Sequence, residues 1–118
     1  EVDRAYRGSY RRWLKKGPTN VPIPHAEKIT SFRRRIERAF AAIVRENAGT
    51  DKNILVVTHG GVIAAYLAHV LDADFNRVLL GLHLPNTCVT LVSFKKEKRS
   101  LIHVADTLHL SDDRPPVD

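Results

Sequence analysis

The residues with the clearest chemical potential are Thr58, His59, Gly60 and Gly61, which directly follow an aliphatic run. A histidine can donate hydrogen bonds to phosphate oxygens or stabilise the charge that develops on a phosphoryl group in transfer. Glycines allow the backbone to approach a ligand closely, and the free N–H groups at the start of a helix attract anions. The string therefore predicts a phosphate site. A histidine that only caps the next helix or satisfies a carbonyl is the alternative that residue type and position leave open.

The elements around His59 indicate how it is positioned. Residues 53–58 form a short continuous apolar run, typical of a strand that is covered on both faces. After Gly61, apolar residues return at helical spacing through residues 62–71. Strand, glycine turn and helix make a βα unit, and in open α/β sheets ligands bind beyond the carboxyl ends of the strands. His59 is therefore predicted at the end of a central strand of a parallel or mixed sheet.

Two helices are predicted before this unit. Residues 1–16 have aromatic and aliphatic side chains at spacings of three and four, with arginines and lysines between them, which indicates a basic amphipathic helix. Residues 17–24 contain three prolines and no periodicity, so we expect an extended connection. A second helix is predicted from Glu27 to about Asn47, with an apolar stripe that ends at Ile43.

After the βα unit, two strands are predicted over residues 87–94 and 101–107. Their short, charged link indicates a hairpin. Helices on either side of a buried strand, with a hairpin following, predict a three-layer α/β/α sandwich. We expect one domain over residues 1–110 and a flexible, polar tail over residues 111–118.

Composition narrows the class of protein. The 118 residues contain no apolar run long enough to cross a membrane and no signal peptide is visible. Cys88 is the single cysteine, so an intramolecular disulfide is excluded and a reducing cytoplasm is the expected compartment. The formal net charge of +6 indicates an acidic partner without choosing among nucleic acid, membrane and a phosphorylated small molecule.

The string Val56 to Ile63 resembles the second signature of the histidine-phosphatase (phosphoglycerate-mutase-like) superfamily, an aliphatic strand entering Ser/Thr-His-Gly-Gly and Val-Ile. Three further resemblances follow in the expected order along the chain: Ala26, Glu27 and Lys28 with Phe32 and Arg35; Leu84, Pro85 and Asn86 with Val89; Asp106 and Thr107 with His109 and Leu110. Together they identify the chain as similar to the C-terminal portion of that domain, with its N-terminal strand or strands missing.

The resemblance implies a phosphohistidine mechanism. A histidine in an Arg-His-Gly motif takes the phosphoryl group, and water or a second hydroxyl then removes it. His59 maps to the second active-site histidine, and His59 with the Gly60 N–H would contact the phosphoryl oxygens. No metal or cofactor is expected, because cationic side chains and backbone amides supply the positive field. The implied substrate is a phosphorylated small molecule, and phosphatase and mutase activities both stay open.

The chain departs from the family pattern in several places. It contains no Arg-His-Gly, so it is predicted to be incomplete as a catalyst. Glu1 is the only candidate for the family's general acid, but in the register without a gap it becomes an ordinary acid at a helix N-terminus. Ala64 stands where many members have arginine. The other histidines are weaker candidates for site residues, and among them only His109 matches a family motif.

Two expectations concern partners. A missing strand would leave residues 54–58 with an unpaired edge, which predicts a homodimer, strand exchange or a companion N-terminal fragment. The alternative function is a non-catalytic phosphate- or anion-binding or protein-interaction module, in which the arginines of residues 33–38 meet an acidic partner. A solvated helix face also explains those arginines. Because no aromatic side chains are interleaved with them, nucleic acid is disfavoured.

Overall fold

A computed structural model describes residues 8, 11–17, 21, 23–96 and 98–110. The predictions for most of the first helix, including the candidate acid Glu1, and for the tail over residues 111–118 lie outside the described residues. The chain divides into two compact units, residues 1–82 and residues 83–118.

The described residues of the first unit include four helices: α1, described over residues 11–16, α2 (Ile29–Glu46), α3 (Gly60–Val70) and α4 (Phe75–Gly81). The helix predicted from Glu27 to about Asn47 is confirmed as α2, which ends where the Asn47 Nδ2 donates to the Ile43 carbonyl at 2.8 Å. The helix predicted after the glycine turn is confirmed as α3.

Helix α3 is the centre of the core of this unit. Residues 64–68 are all buried, and Leu67 keeps only 1% of its surface exposed. Helix α3 contacts both α2 and α4, which contribute the buried side chains of Ile36 and Phe75. A helix that is apolar nearly all round must be covered on several sides, and the alanines at 64, 65 and 68 let neighbouring elements come close to its backbone.

Helix α4 was not predicted. It has only seven residues, too few for an apolar stripe to repeat. The signal that could have revealed it is Asp74, whose Oδ1 accepts a 2.9 Å hydrogen bond from the Arg77 N–H and so caps the helix.

Residues 53–58, predicted as a central strand, do not form a strand in the structure. Residues 51–59 belong to no helix or strand, and the side chains of Leu55 and Val57 are 86% and 88% exposed. Among the described residues, sheet pairing is confined to two antiparallel strands of the second unit. A strand is completed by the ladder it forms with a neighbour, and the apolar sequence of residues 54–57 cannot supply that neighbour itself.

The predicted hairpin is confirmed in the second unit as β1 (Val89–Lys95) and β2 (Lys98–Asp106). The turn is tighter than predicted, because Lys95 already pairs with Lys98. The register shifts on both sides of Leu91, where the Ala105 N–H donates to the Thr90 Oγ1 at 3.2 Å. A 3₁₀ turn over Leu108–Leu110 follows, held by the Leu108 N–H donating to Asp106 Oδ1 at 2.8 Å. Helices together with this sheet are consistent with an α/β protein.

Candidate functional site

His59 is the N-cap residue of α3. Its backbone is extended, at φ −92° and ψ 154°, and its carbonyl accepts hydrogen bonds from the N–H groups of Val62 at 2.9 Å and Ile63 at 3.2 Å. The chain is therefore extended at His59 and helical from Gly60, so the histidine stands at the start of the helix that the sequence predicts.

The imidazole of His59 makes no capping hydrogen bond to α3, and the residue is exposed. The described residues also give the ring no other hydrogen-bond or ion-pair partner. The helix-capping role that residue type left open is therefore not the role of this side chain, and the ring is available to a ligand at the start of α3.

Gly60 and Gly61 are the first two residues of α3. Their N–H groups belong to the first turn, where amides have no partner within the helix, and they lie at the positive end of the helix dipole. A Cβ added at Gly61 would meet no atom within 4 Å, so the position that a side chain would take at Gly61 is unoccupied. The arrangement can present amide donors and an imidazole to a single anionic group.

Glu27, in the loop before α2, forms a salt bridge with Arg35. Arg35 on α2 donates to it from Nε at 3.1 Å and from a terminal nitrogen at 2.7 Å, a two-point pairing in which both side chains are exposed. These hydrogen bonds, with the charge of the guanidinium, hold the pKa of Glu27 below its ordinary value and raise the pKa of Arg35. The pair joins the segment before α2 to the second turn of that helix.

The other histidines, which the sequence does not favour as site residues, lie in both units. His25 is exposed in a loop, and His69 Nδ1 on α3 lies 3.8 Å from Glu37 Oε1 on α2. His83, His103 and His109 are exposed residues of the second unit.

Among the described residues, no group of three or more histidines, cysteines, aspartates and glutamates could hold a metal ion. In the same part of the chain, no helix is long and apolar enough to cross a membrane.

The site and its setting, a histidine and two glycines at the start of a helix in an α/β protein, suit a phosphoryl-binding protein. The family model of the histidine phosphatase superfamily (branch 1) matches residues 1–107, and the chain belongs to that superfamily.

Two curated proteins are similar to the chain. "Putative phosphoserine phosphatase 2" of Hydrogenobacter thermophilus is 26% identical over 105 residues, covering 89% of this chain and 49% of the relative. The 2,3-bisphosphoglycerate-dependent phosphoglycerate mutase of Buchnera aphidicola subsp. Acyrthosiphon pisum is 24% identical over 99 residues, covering 84% of this chain and 42% of the relative. The chain thus spans less than half the length of either relative. No solved structure matches it significantly.

Proposed function

We propose that the parent protein is a phosphomonoester phosphatase, or a phosphoglycerate mutase-like phosphoryl-transfer enzyme, that works through a phosphohistidine on a phosphorylated small molecule. The observation that carries the proposal is His59, exposed and unpaired at the start of α3, in a chain that belongs to the histidine phosphatase superfamily. The two similar proteins, one named as a phosphatase and the other as a mutase, support the same class of chemistry.

In this mechanism the substrate's phosphoryl group passes from an ester oxygen to a histidine nitrogen. The leaving oxygen takes a proton from an acid, for which Glu1 is the candidate in this sequence. Water, or a second hydroxyl, then breaks the N–P bond and returns the histidine to its free form. His59 and the Gly60 N–H stabilise the charge on the phosphoryl oxygens during both transfers. The nucleophilic histidine belongs to an Arg-His-Gly motif, which these 118 residues do not contain, so the chain on its own is incomplete as a catalyst.

The exposed apolar residues 54–57 support the same proposal. Leu55 and Val57 each expose more than four fifths of their surface, although the sequence of this segment is that of a covered strand. We infer that further strands complete a three-layer α/β/α sandwich around it, supplied by a companion N-terminal segment or by a second copy of the chain. We further propose a cytoplasmic location, which is compatible with the single cysteine of these 118 residues.

A binding measurement tests the part of the mechanism that this chain carries. Vanadate or inorganic phosphate is titrated into the chain and followed by NMR of the anion. Loss of one charge-assisted hydrogen bond in His59→Ala should weaken binding roughly tenfold or more. His83→Ala, which removes an exposed histidine from the second unit, is the matched control and should leave binding unchanged. Equal affinity in the wild type and in His59→Ala would refute the role of His59.

A second experiment separates the enzyme from the alternative, a non-catalytic phosphate-binding module. The 118-residue chain is assayed with a generic phosphate monoester alone and together with the polypeptide encoded immediately upstream. Hydrolysis should require both and be lost in His59→Ala. An upstream reading frame without an Arg-His-Gly strand would overturn the enzyme assignment and leave the binding module. Light scattering during size-exclusion chromatography shows whether the chain alone forms a homodimer.

A further inference from the structure

The arginines of α2 divide into two groups in the structure. Arg33 lies over the Phe75 ring, 5.6 Å from its centroid, with its Nε buried, and Arg35 is paired with Glu27. Arg34, Arg38 and Arg45 are exposed, and no described residue forms an ion pair or side-chain hydrogen bond with them. The cluster of four neighbouring arginines seen in the sequence is therefore not a single patch, and Arg45, which lies outside that cluster, joins the free group.

The three free arginines lie on one line along α2, here called the arginine stripe. At 3.6 residues per turn, Arg34, Arg38 and Arg45 fall within an arc of about 40°. Along the axis they are separated by about 6 Å and about 10 Å. The buried Ile36 lies on the opposite side of the helix, so the stripe faces directly away from α3 and the core.

The other exposed residues on the side of α2 that carries the arginine stripe are small. Thr30, Ser31 and Ala41 are exposed on the same side of α2, and the sequence gives that side no acidic residue. Alanine and serine let another backbone approach the helix closely, while arginine can pair with a carboxylate through two parallel hydrogen bonds. The face combines unneutralised charge with room for a partner.

We propose that the arginine stripe is a docking surface for an acidic polypeptide segment, best matched by a helix with carboxylates at the spacing i, i+4 and i+11. A line of charges roughly 4 Å wide matches one face of such a helix. It suits a nucleic-acid duplex less well, since the phosphate rows border a major groove about 12 Å wide. A membrane-surface helix would carry large apolar residues beside its cations, and this face has none.

The test uses the 118-residue chain and two synthetic alanine-based helical peptides of identical composition. One has three glutamates at the i, i+4 and i+11 spacing, and the other has them distributed around the helix. Binding is measured by fluorescence anisotropy at low ionic strength, because added salt screens exposed charges. The matched peptide should bind more tightly, and its affinity should fall roughly five- to tenfold when Arg34, Arg38 and Arg45 are all changed to glutamine.

The control variant changes Arg11, Lys15 and Lys98 to glutamine, which removes the same charge from exposed positions elsewhere, and it should bind the matched peptide within twofold of the wild type. Circular dichroism verifies that both variants keep their helices. Equal binding of the two peptides, or equal losses in the two variants, would overturn the proposal. Tighter binding of duplex DNA or of anionic vesicles, lost in the stripe variant, would overturn the choice of partner. Vanadate binding at His59 is a separate measurement, so either proposal can fail alone.

Discussion

The ring of Phe40 on α2 is stacked on the ring of Tyr66 on α3, with centroids 3.8 Å apart and planes inclined by 16°. Tyr66 is 8% exposed and lies in the buried stretch of the helix that begins after His59. The stack therefore fixes α3, and with it the candidate phosphate site, against α2, the longest helix among the described residues.

Phe40→Ala should destabilise the first unit by about 2–4 kcal/mol, because it removes a large ring from a packed contact and leaves a cavity. Urea denaturation followed by helical circular dichroism measures the loss. Leu71→Ala is the control, since Leu71 is 52% exposed and its truncation should cost less than about 1 kcal/mol. If the two variants unfold at the same urea concentration, the stack does not hold α2 and α3 together.

Gly17 ends α1 in a conformation that other residues avoid. Its φ is +80°, and a Cβ at this position would collide with the side chain of Asn76 on α4. Gly17→Ala should therefore cost about 1–3 kcal/mol from backbone strain, and more from the collision.

Gly49→Ala separates the two causes. Gly49 has a φ of +73° but nothing within 4 Å of an added Cβ, so this variant has the strain without the collision. Thermal denaturation should rank Gly17→Ala below Gly49→Ala in stability. The reverse order would mean that α1 and α4 do not meet at Gly17.

The sequence predicts α2 because its apolar residues repeat with the helical period over several turns. Helix α3 is apolar nearly all round, and its signal is a glycine turn followed by three turns of apolar residues. Residues 54–57 show a limit of predicting structure from a local sequence pattern. Their apolar pattern indicates a strand, yet strand pairing depends on a second segment, and Leu55 and Val57 stay exposed without one. Short elements such as α4 depend on a cap, here Asp74, more than on periodicity.

The candidate site could be predicted only in part. His59 and Gly60 come from a local motif, and the helix start that positions them is encoded in the same residues. The pairing of Glu27 with Arg35 joins positions eight apart across a helix start, and the loop before α2 has no periodicity that would have indicated it. The division of the arginines of α2 into an engaged group and a free group depends on what lies beside each one, such as Phe75 beside Arg33.

The Glu27–Arg35 pair should make stability depend weakly on pH. The pKa of Glu27 is held below its ordinary value of 4.5 by hydrogen bonds from Arg35. Because the folded-state pKa is lower than the unfolded one, the pair stabilises the chain above the unfolded value, and this contribution is lost as the pH falls through the folded value. The effect is small, since both side chains are exposed to solvent.

An NMR titration of the Glu27 carboxyl carbon measures this directly. Arg35→Gln should raise the pKa of Glu27 towards its ordinary value. Arg34→Gln removes an unpaired arginine from the same helix and should leave the Glu27 titration nearly unchanged. Identical titrations in the wild type and in Arg35→Gln would show that the two-point pairing does not form in solution.

The double variant Leu55→Lys/Val57→Lys tests whether residues 54–57 pair with another strand in the assembled parent protein. In the chain alone these side chains contact little, so the double variant should change stability by less than about 0.5 kcal/mol and should reduce aggregation of an apolar, unpaired segment. In the assembled parent protein the same change would place two lysines inside a covered sheet and cost several kcal/mol. Denaturation and light scattering on both forms give the comparison. Asp51→Lys is the control, because Asp51 is exposed and outside any helix or strand, and the change adds the same two units of positive charge. A large loss of stability in the chain alone would contradict the exposure seen here, while equal tolerance in both forms would show that this segment is never covered.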